Sequence, residues 1–168
     1  MKRLCGGWLA LALSSAPALA QASDWWFIAD VGEAAAEYIV YVDKSSIERV
    51  SRSSAMTAWM LTVYHDDQVS EGAAYRSEKL RLRIDCGKEL AGIENRALYS
   101  AYKETVSQSR KTEPELTAIP PQSPLQTAVG FICSGGRQPA RTIPVYDPNK
   151  DAEQRFWLKD KEHRINPK

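Results

Sequence analysis

The stretch 77-SEKLRLRIDC-86 decides the fold, because apolar and polar residues alternate along it. Leu80, Leu82 and Ile84 are separated by charged residues, a pattern typical of a β-strand with one buried face and one solvated face. Cys86 continues the apolar series, so we expect its side chain to point into the core.

A second cysteine downstream gives Cys86 a partner. Outside the first few residues of the sequence, the other cysteine is Cys133, at the end of a helix-like run. The pair allows one intramolecular disulfide, which would join a strand to a helix and contribute about 4 kcal/mol in the chain-entropy model. The alternative is two buried free thiols.

Residues 1–20 have the pattern of a secretory signal peptide. Lys2 and Arg3 form a basic start, an apolar segment follows at residues 8–13, and Ala18-Leu19-Ala20 is a small-x-small cleavage signal. The rival interpretation, a membrane anchor, requires about 20 apolar residues. We therefore predict cleavage near Ala20, no transmembrane segment and an exported protein, periplasmic, secreted or at the cell surface, where disulfides persist.

Four further segments have strand patterns, at residues 24–30, 37–43, 56–64 and 89–102. In the first, Trp25, Phe27 and Ala29 are expected on one face. In the last, Ile93, Ala97 and Tyr99 are expected on one face and Leu90 and Leu98 on the other. Several of these strands are apolar on both faces, and one helix covers only one face. The second face must then meet the tail of the chain, another subunit in a homodimer, or a partner.

Two connecting segments are predicted from turn and helix signals. Asp43 is expected to accept hydrogen bonds from the following backbone amides, which makes Lys44-Ser45-Ser46-Ile47 a single capped helical turn. Residues 105–121 are polar and contain three prolines, so they are predicted to be a loop or frayed extended chain.

A helix is predicted to begin at Pro124. Ser123 and Gln126 form a capping box, with proline at the first helical position. The helix presents one apolar stripe and ends at Gly135-Gly136, which places Cys133 in its last turn; the stripe contains Leu125, Ala128, Val129 and Ile132.

These elements predict one α+β domain at residues 21–136, an antiparallel sheet with a C-terminal helix packed on one face. Residues 137–168 are predicted to be a polar tail, in which residues 151–162 form a short helix or are disordered.

The sequence predicts no catalytic, cofactor-binding or metal site. His65-Asp66-Asp67 is the nearest candidate for a cation site, but a solvated loop explains it better, and His163 lies in the charged tail. Nucleophile-elbow, phosphate-loop and two-cysteine redox motifs are absent from the sequence. Without Lys2 and Arg3 the chain is close to neutral, so no nucleic-acid partner is implied.

Several short segments together resemble the surface-adhesin protein E family of Gram-negative bacteria: 41-YVDKSSI-47, the strand around Trp59, 77-SEK-79 leading to 84-IDC-86, 99-YS-100, 121-PQS-123 and Cys133. The resemblance covers roughly residues 25–133. It implies a single curved antiparallel sheet of about six strands, with the C-terminal helix held against it by a Cys86–Cys133 disulfide. Family members usually have Pro-Gly-Ser where this chain has Gln122, and this chain has no lipidation cysteine after its signal.

The resemblance also implies binding of extracellular or host proteins such as laminin, vitronectin and plasminogen, as for the founding member, a dimeric outer-membrane lipoprotein. Our leading hypothesis is therefore an exported, non-catalytic binding module. The alternative is a soluble periplasmic structural or envelope-maintenance protein of unknown ligand. An enzyme is the third possibility.

Overall fold

The computed structural model describes residues 22–33, 36–137 and 142–165, so the predicted signal peptide and its cleavage site near Ala20 lie outside the described residues. The strands are β1 (Trp25–Val31), β2 (Tyr38–Arg49), β3 (Ala55–Ser70), β4 (Ala73–Asp85), β5 (Leu90–Tyr99), β6 (Thr105–Arg110), β7 (Thr117–Ala118) and β8 (Ile143–Val145). The helices are α1 (Pro124–Cys133) and α2 (Pro148–Ile165).

Within the described ranges, eight strands form one open antiparallel sheet in the order β6-β5-β4-β3-β2-β1-β8, and β7 also pairs with β5. The prediction of about six strands is therefore wrong. Two of the strands, β6 and β7, lie in the segment predicted to be a loop or frayed extended chain, and β8 lies in the predicted tail. The six residues of β6 are almost all exposed, so its sequence lacks the alternation that reveals a half-buried strand.

Asp43 behaves as predicted, but the segment after it is not helical. Its Oδ1 accepts hydrogen bonds from the Ser45 amide at 3.1 Å and from the Ser45 hydroxyl at 2.6 Å. The segment is nevertheless part of β2, where the register against β3 shifts between Asp43 and Glu48. The Trp59 amide donates to Ser46 Oγ at 2.8 Å, so the serine takes part in the pairing of the two strands. The hydrogen bonds that suggested a helix cap therefore form within an irregular stretch of β2.

The face of the sheet that packs on α1 holds the larger apolar cluster. The α1 residues Ala128, Phe131 and Ile132 are fully buried there. They pack with the alternating apolar positions of the deciding strand, Leu80, Leu82 and Ile84. The predicted disulfide lies at the edge of this cluster, where Cys86 and Cys133 are joined by an S–S bond of 2.00 Å.

The opposite face is covered by α2, so the tail supplies the cover that the two-sided strands require. Phe156 and Ala152 of α2 are buried in a second cluster with the sheet residues Trp25, Phe27, Ile39, Tyr41, Leu61 and Val63. The helix extends over Pro148–Ile165, beyond the predicted short segment in both directions.

Two β-bulges reverse side-chain faces that strict alternation predicted. The register of β1 against β2 shifts between Phe27 and Ala29, so Ala29 packs with the α1 cluster instead of with Trp25 and Phe27. The register of β4 against β5 shifts at Glu94, since Arg81 pairs with Asn95 and Leu82 with Ile93. Ile93 is therefore on the opposite face from Ala97, because one extra residue inverts the alternation beyond it.

Candidate functional site

His65 lies in a bulge of β3 and holds α2. The register of β3 against β4 shifts between Val63 and Gln68, which frees the His65 side chain from regular alternation. Its Nε2 is 3.3 Å from Asp160 Oδ2 and its Nδ1 is 3.0 Å from Asp66 Oδ1. The ring also meets Phe156 edge-to-face, with the ring centroids 5.1 Å apart. His65 is therefore a docking residue for the helix.

Charge interactions raise the pKa of His65. Partial burial alone lowers the pKa of the ring, but hydrogen bonds and charge attraction from Asp160 and Asp66 outweigh that effect. Among the described residues, no cluster of three histidine, cysteine or acidic side chains has a geometry that would hold a metal ion. His163 is exposed near the end of α2.

Other polar contacts fix α2 to the same face. The Tyr41 hydroxyl donates to Asp151 at 2.8 Å, and the Lys159 ammonium lies 2.5 Å from Asp30 and also pairs with the buried Glu37. The Arg155 guanidinium lies 4.1 Å from the centre of the Phe27 ring. These contacts explain how a helix with few apolar residues stays on an apolar surface.

Most of the aromatic residues of the first strands take part in packing. Trp25 and Tyr41 are buried in the α2 cluster, and Trp26 packs against Phe131 of α1 with a ring separation of 5.7 Å. Tyr64 lies between Tyr38 and Tyr75. Trp59 differs because it is half-buried and borders an open hollow.

That hollow is a concave region of about 640 Å³ on the face that carries α2, and no described residue of α2 lines it. It is formed where β2 and β6 end and where β3 and β5 begin. We call it the cationic trough and define it by the lining residues Glu48, Arg49, Thr57, Trp59, Arg81, Arg83, Glu94, Asn95, Arg110 and Lys111. Among these described residues, five are cationic and two are acidic.

The β-bulge at Glu94 organises the charges of the trough. The Glu94 carboxylate accepts from Arg83 Nε at 2.6 Å and from Arg81 Nε at 3.3 Å. Arg81 Nη2 also donates to Thr57 at 3.1 Å and to Glu48 at 3.2 Å. One carboxylate thus holds two guanidinium groups side by side in fixed orientations.

Three other cations of the trough lack such partners. Among the described residues, no carboxylate pairs with Arg49, Arg110 or Lys111, and all three side chains are exposed. The Asn95 Oδ1 atom is buried, with no hydrogen-bond partner in the part of the chain that the structure describes. The trough therefore offers unused hydrogen-bond donors to a ligand.

Sequence reasoning missed this site. The alternation of Lys79, Arg81 and Arg83 indicates a solvated strand face, and that is how we interpreted it. The clustering depends on Arg49 and Arg110, which are brought in by β2 and β6. Pairing of the strands across the sheet determines their positions, and no local pattern carries that information.

Comparisons with known proteins identify one family. A sequence model of the family described as "Surface-adhesin protein E" matches residues 26–134. A search of curated proteins found no match. Among solved structures, Haemophilus influenzae protein E is similar, with 14% identity, a TM-score of 0.45, and coverage of 68% of this chain and 89% of that chain.

Two further structures of that protein give similar values. A second crystal form of Haemophilus influenzae protein E has 14% identity and a TM-score of 0.47, with coverage of 77% of this chain and 100% of that chain. Protein E from non-typeable Haemophilus influenzae has 14% identity and a TM-score of 0.43, with coverage of 74% and 83%.

Proposed function

This chain belongs to the surface-adhesin protein E family, and from that premise we propose that it is an exported, non-catalytic module that binds extracellular proteins. The observation that carries the proposal is the family match over residues 26–134, which spans the core of the sheet and the whole of α1. A named host ligand is not assigned to particular residues, because the family positions identified in the sequence, apart from Trp59, are structural in this fold.

The N-terminus and the disulfide support export. A cleavable signal over residues 1–20, followed by one domain at 21–136 and an appended segment at 137–168, is the organisation that we propose. In the described residues no helix is long and apolar enough to cross a membrane. Disulfides persist in oxidising compartments, which agrees with the Cys86–Cys133 bond. Sequencing the N-terminus of the processed protein tests cleavage near Ala20.

Two measurements together test the proposed function: the location of the protein in the cell and its binding to matrix proteins. Intact cells are treated with a protease that does not enter them and then fractionated, and the purified protein is applied to immobilised matrix proteins. We expect the chain to be cleaved on intact cells and to bind at least one matrix protein. Purely periplasmic protein without matrix binding would overturn the proposal in favour of a periplasmic structural or envelope-maintenance role.

A homodimer is part of the same proposal and has its own test. Because α2 already covers the second apolar face, a dimer would have to use another surface, such as a sheet edge. Light scattering on the full chain measures the mass directly, and a monomer at all accessible concentrations would remove the dimer from the proposal.

A further inference from the structure

We propose that the cationic trough binds an extended acidic peptide segment of a protein partner. The inference rests on the proposed binding function and specifies the surface and the chemistry by which it would operate. The trough carries a net charge of three positive units among its described residues, whereas the whole chain has a formal net charge of +1. Concentrated positive charge in a concave surface attracts and orients an anionic ligand.

The guanidinium groups of the trough retain donors for such a ligand. Arg83 uses Nε toward Glu94, and its two terminal nitrogens have no partner among the described residues. A planar guanidinium with free terminal nitrogens binds a carboxylate through two parallel hydrogen bonds. Glu94 holds Arg81 and Arg83 in place, so these two side chains would lose little conformational freedom when a ligand binds.

The free edge of β6 favours a peptide over other acidic polymers. Within the described ranges β6 is the last strand of the sheet and pairs with β5 alone, so its outer edge presents unpaired backbone groups. Its sequence, 105-TVSQSR-110, contains no proline. The opposite edge, β8, has three residues and includes Pro144, which cannot donate a hydrogen bond. Addition of a peptide strand at the β6 edge is therefore better supported than addition at the β8 edge.

The strand register places the edge and the charges together. Arg110 pairs with Asn95 and Asn95 with Arg81, so all three lie on the same face of the sheet, in the trough. A peptide that added to β6 would direct every second side chain to this face. Acidic residues at alternate positions of the peptide would then meet Arg110 and the cations beside it.

Fluorescence anisotropy with the purified full chain tests the proposal. The probes are a labelled peptide that alternates Glu with Thr, the same peptide with Gln for Glu, and the acidic peptide with alternate backbone amides methylated in either register. A heparin fragment serves as an acidic polysaccharide. We expect the acidic peptide to bind with an affinity that falls as salt is added, and the Gln peptide to bind much more weakly. Methylation of the acidic peptide should abolish binding in one of the two registers, the one whose amides pair with β6.

Charge-reversal variants locate the site. The variant Arg49→Glu/Arg110→Glu/Lys111→Glu alters three exposed residues that line the trough, and Lys88→Glu/Lys150→Glu/Lys161→Glu makes the same change in net charge on exposed residues outside it. We expect the trough variant to bind the acidic peptide about tenfold or more weakly, which is roughly 1.4 kcal/mol. The control should change the affinity by less than about threefold. Unchanged urea midpoints check that both variants fold.

Three results would overturn the inference. Equal losses of affinity for the acidic peptide in the trough variant and the control variant would indicate nonspecific electrostatic attraction. Tighter binding of the heparin fragment, with no effect of amide methylation, would assign the trough to an acidic polysaccharide. Capture of a matrix protein that survives in the trough variant would place the proposed function on another surface. Conversely, peptide binding by a protein that is purely periplasmic would leave the trough standing and overturn the proposed extracellular function.

Discussion

His65 Nε2 lies 3.3 Å from Asp160 Oδ2 and so joins β3 to α2 across 95 residues of sequence. The charged groups around this histidine are Asp66 on its own strand, Asp160 on the helix, and Arg76 on β4, whose guanidinium donates to the His65 carbonyl. The two carboxylates outweigh partial burial and raise the pKa of His65 above its usual value. The protonated ring is therefore the form that holds the helix.

This contact predicts that α2 docking weakens at alkaline pH. Because the pKa is raised in the folded state, the stabilisation is complete below the unfolded pKa of about 6.5 and is lost as the pH rises through the folded pKa. The stability difference between the wild type and His65→Gln should shrink from pH 5.5 to 8.5, and an exposed pair of this kind contributes about 0.2–1 kcal/mol. Urea midpoints measure it. His163→Gln is the matched control, and an equal difference at both pH values would contradict the prediction.

Removal of the disulfide should cost a large share of the stability. Cys86→Ser opens a loop with a sequence separation of 47 residues, which corresponds to about 4 kcal/mol in the chain-entropy model. Urea unfolding measures the loss, and alkylation under denaturing conditions should label Cys133 in this variant but neither cysteine of the pair in the wild type. Two reactive thiols in wild-type protein from its native compartment would show that the bond does not form there.

Phe156 should be the residue through which α2 stabilises the sheet. Its side chain is 7% exposed in the second apolar cluster, whereas the adjacent Trp157 is 58% exposed. Phe156→Ala should lower the unfolding free energy by about 3 kcal/mol, and Trp157→Ala by less than about 0.5 kcal/mol. A chain that ends at Gly136 lacks α2 and should therefore expose the same cluster. We expect this truncated protein to aggregate, which light scattering detects. A soluble monomer after that truncation would contradict a covering role for α2.

The sequence predicted the parts of the fold in which local signals and final contacts agree. Alternation located Leu80, Leu82 and Ile84 on the α1 face, and the capping box located the start of α1, where the Gln126 amide donates to Ser123 Oγ at 3.1 Å. Family resemblance and the residue pattern both pointed to the strand-to-helix disulfide. These features depend on residues close together in the sequence or on a single possible pairing.

The features that the sequence did not predict depend on contacts between distant parts of the chain. The β6 strand has no apolar face to reveal it, and α2 is a polar helix whose attachment depends on Phe156 and a few ion pairs. The bulge at Glu94 shifts the register by one residue, which inverts the face of Ile93 and aims a carboxylate at Arg81 and Arg83. The candidate site was missed because that bulge and the neighbouring strand ends create it.

Gln122 provides the last prediction, because it occupies a backbone conformation that suits glycine. Its φ is +58°, in the left-handed region, where a side chain costs about 1–2 kcal/mol. Gln122→Gly should therefore raise the unfolding free energy by about 0.5–1 kcal/mol, after the greater freedom of glycine in the unfolded chain is subtracted.

The main-chain contact at this position survives the change. The Gln122 amide donates to Gln126 Oε1 at 2.7 Å, and glycine keeps that amide. Gln122→Ala is the control, since alanine retains the Cβ atom and should give no gain. Urea midpoints of the three proteins decide the matter: if the glycine variant were no more stable than the alanine variant, strain at Gln122 would not limit the stability of the turn that leads into α1.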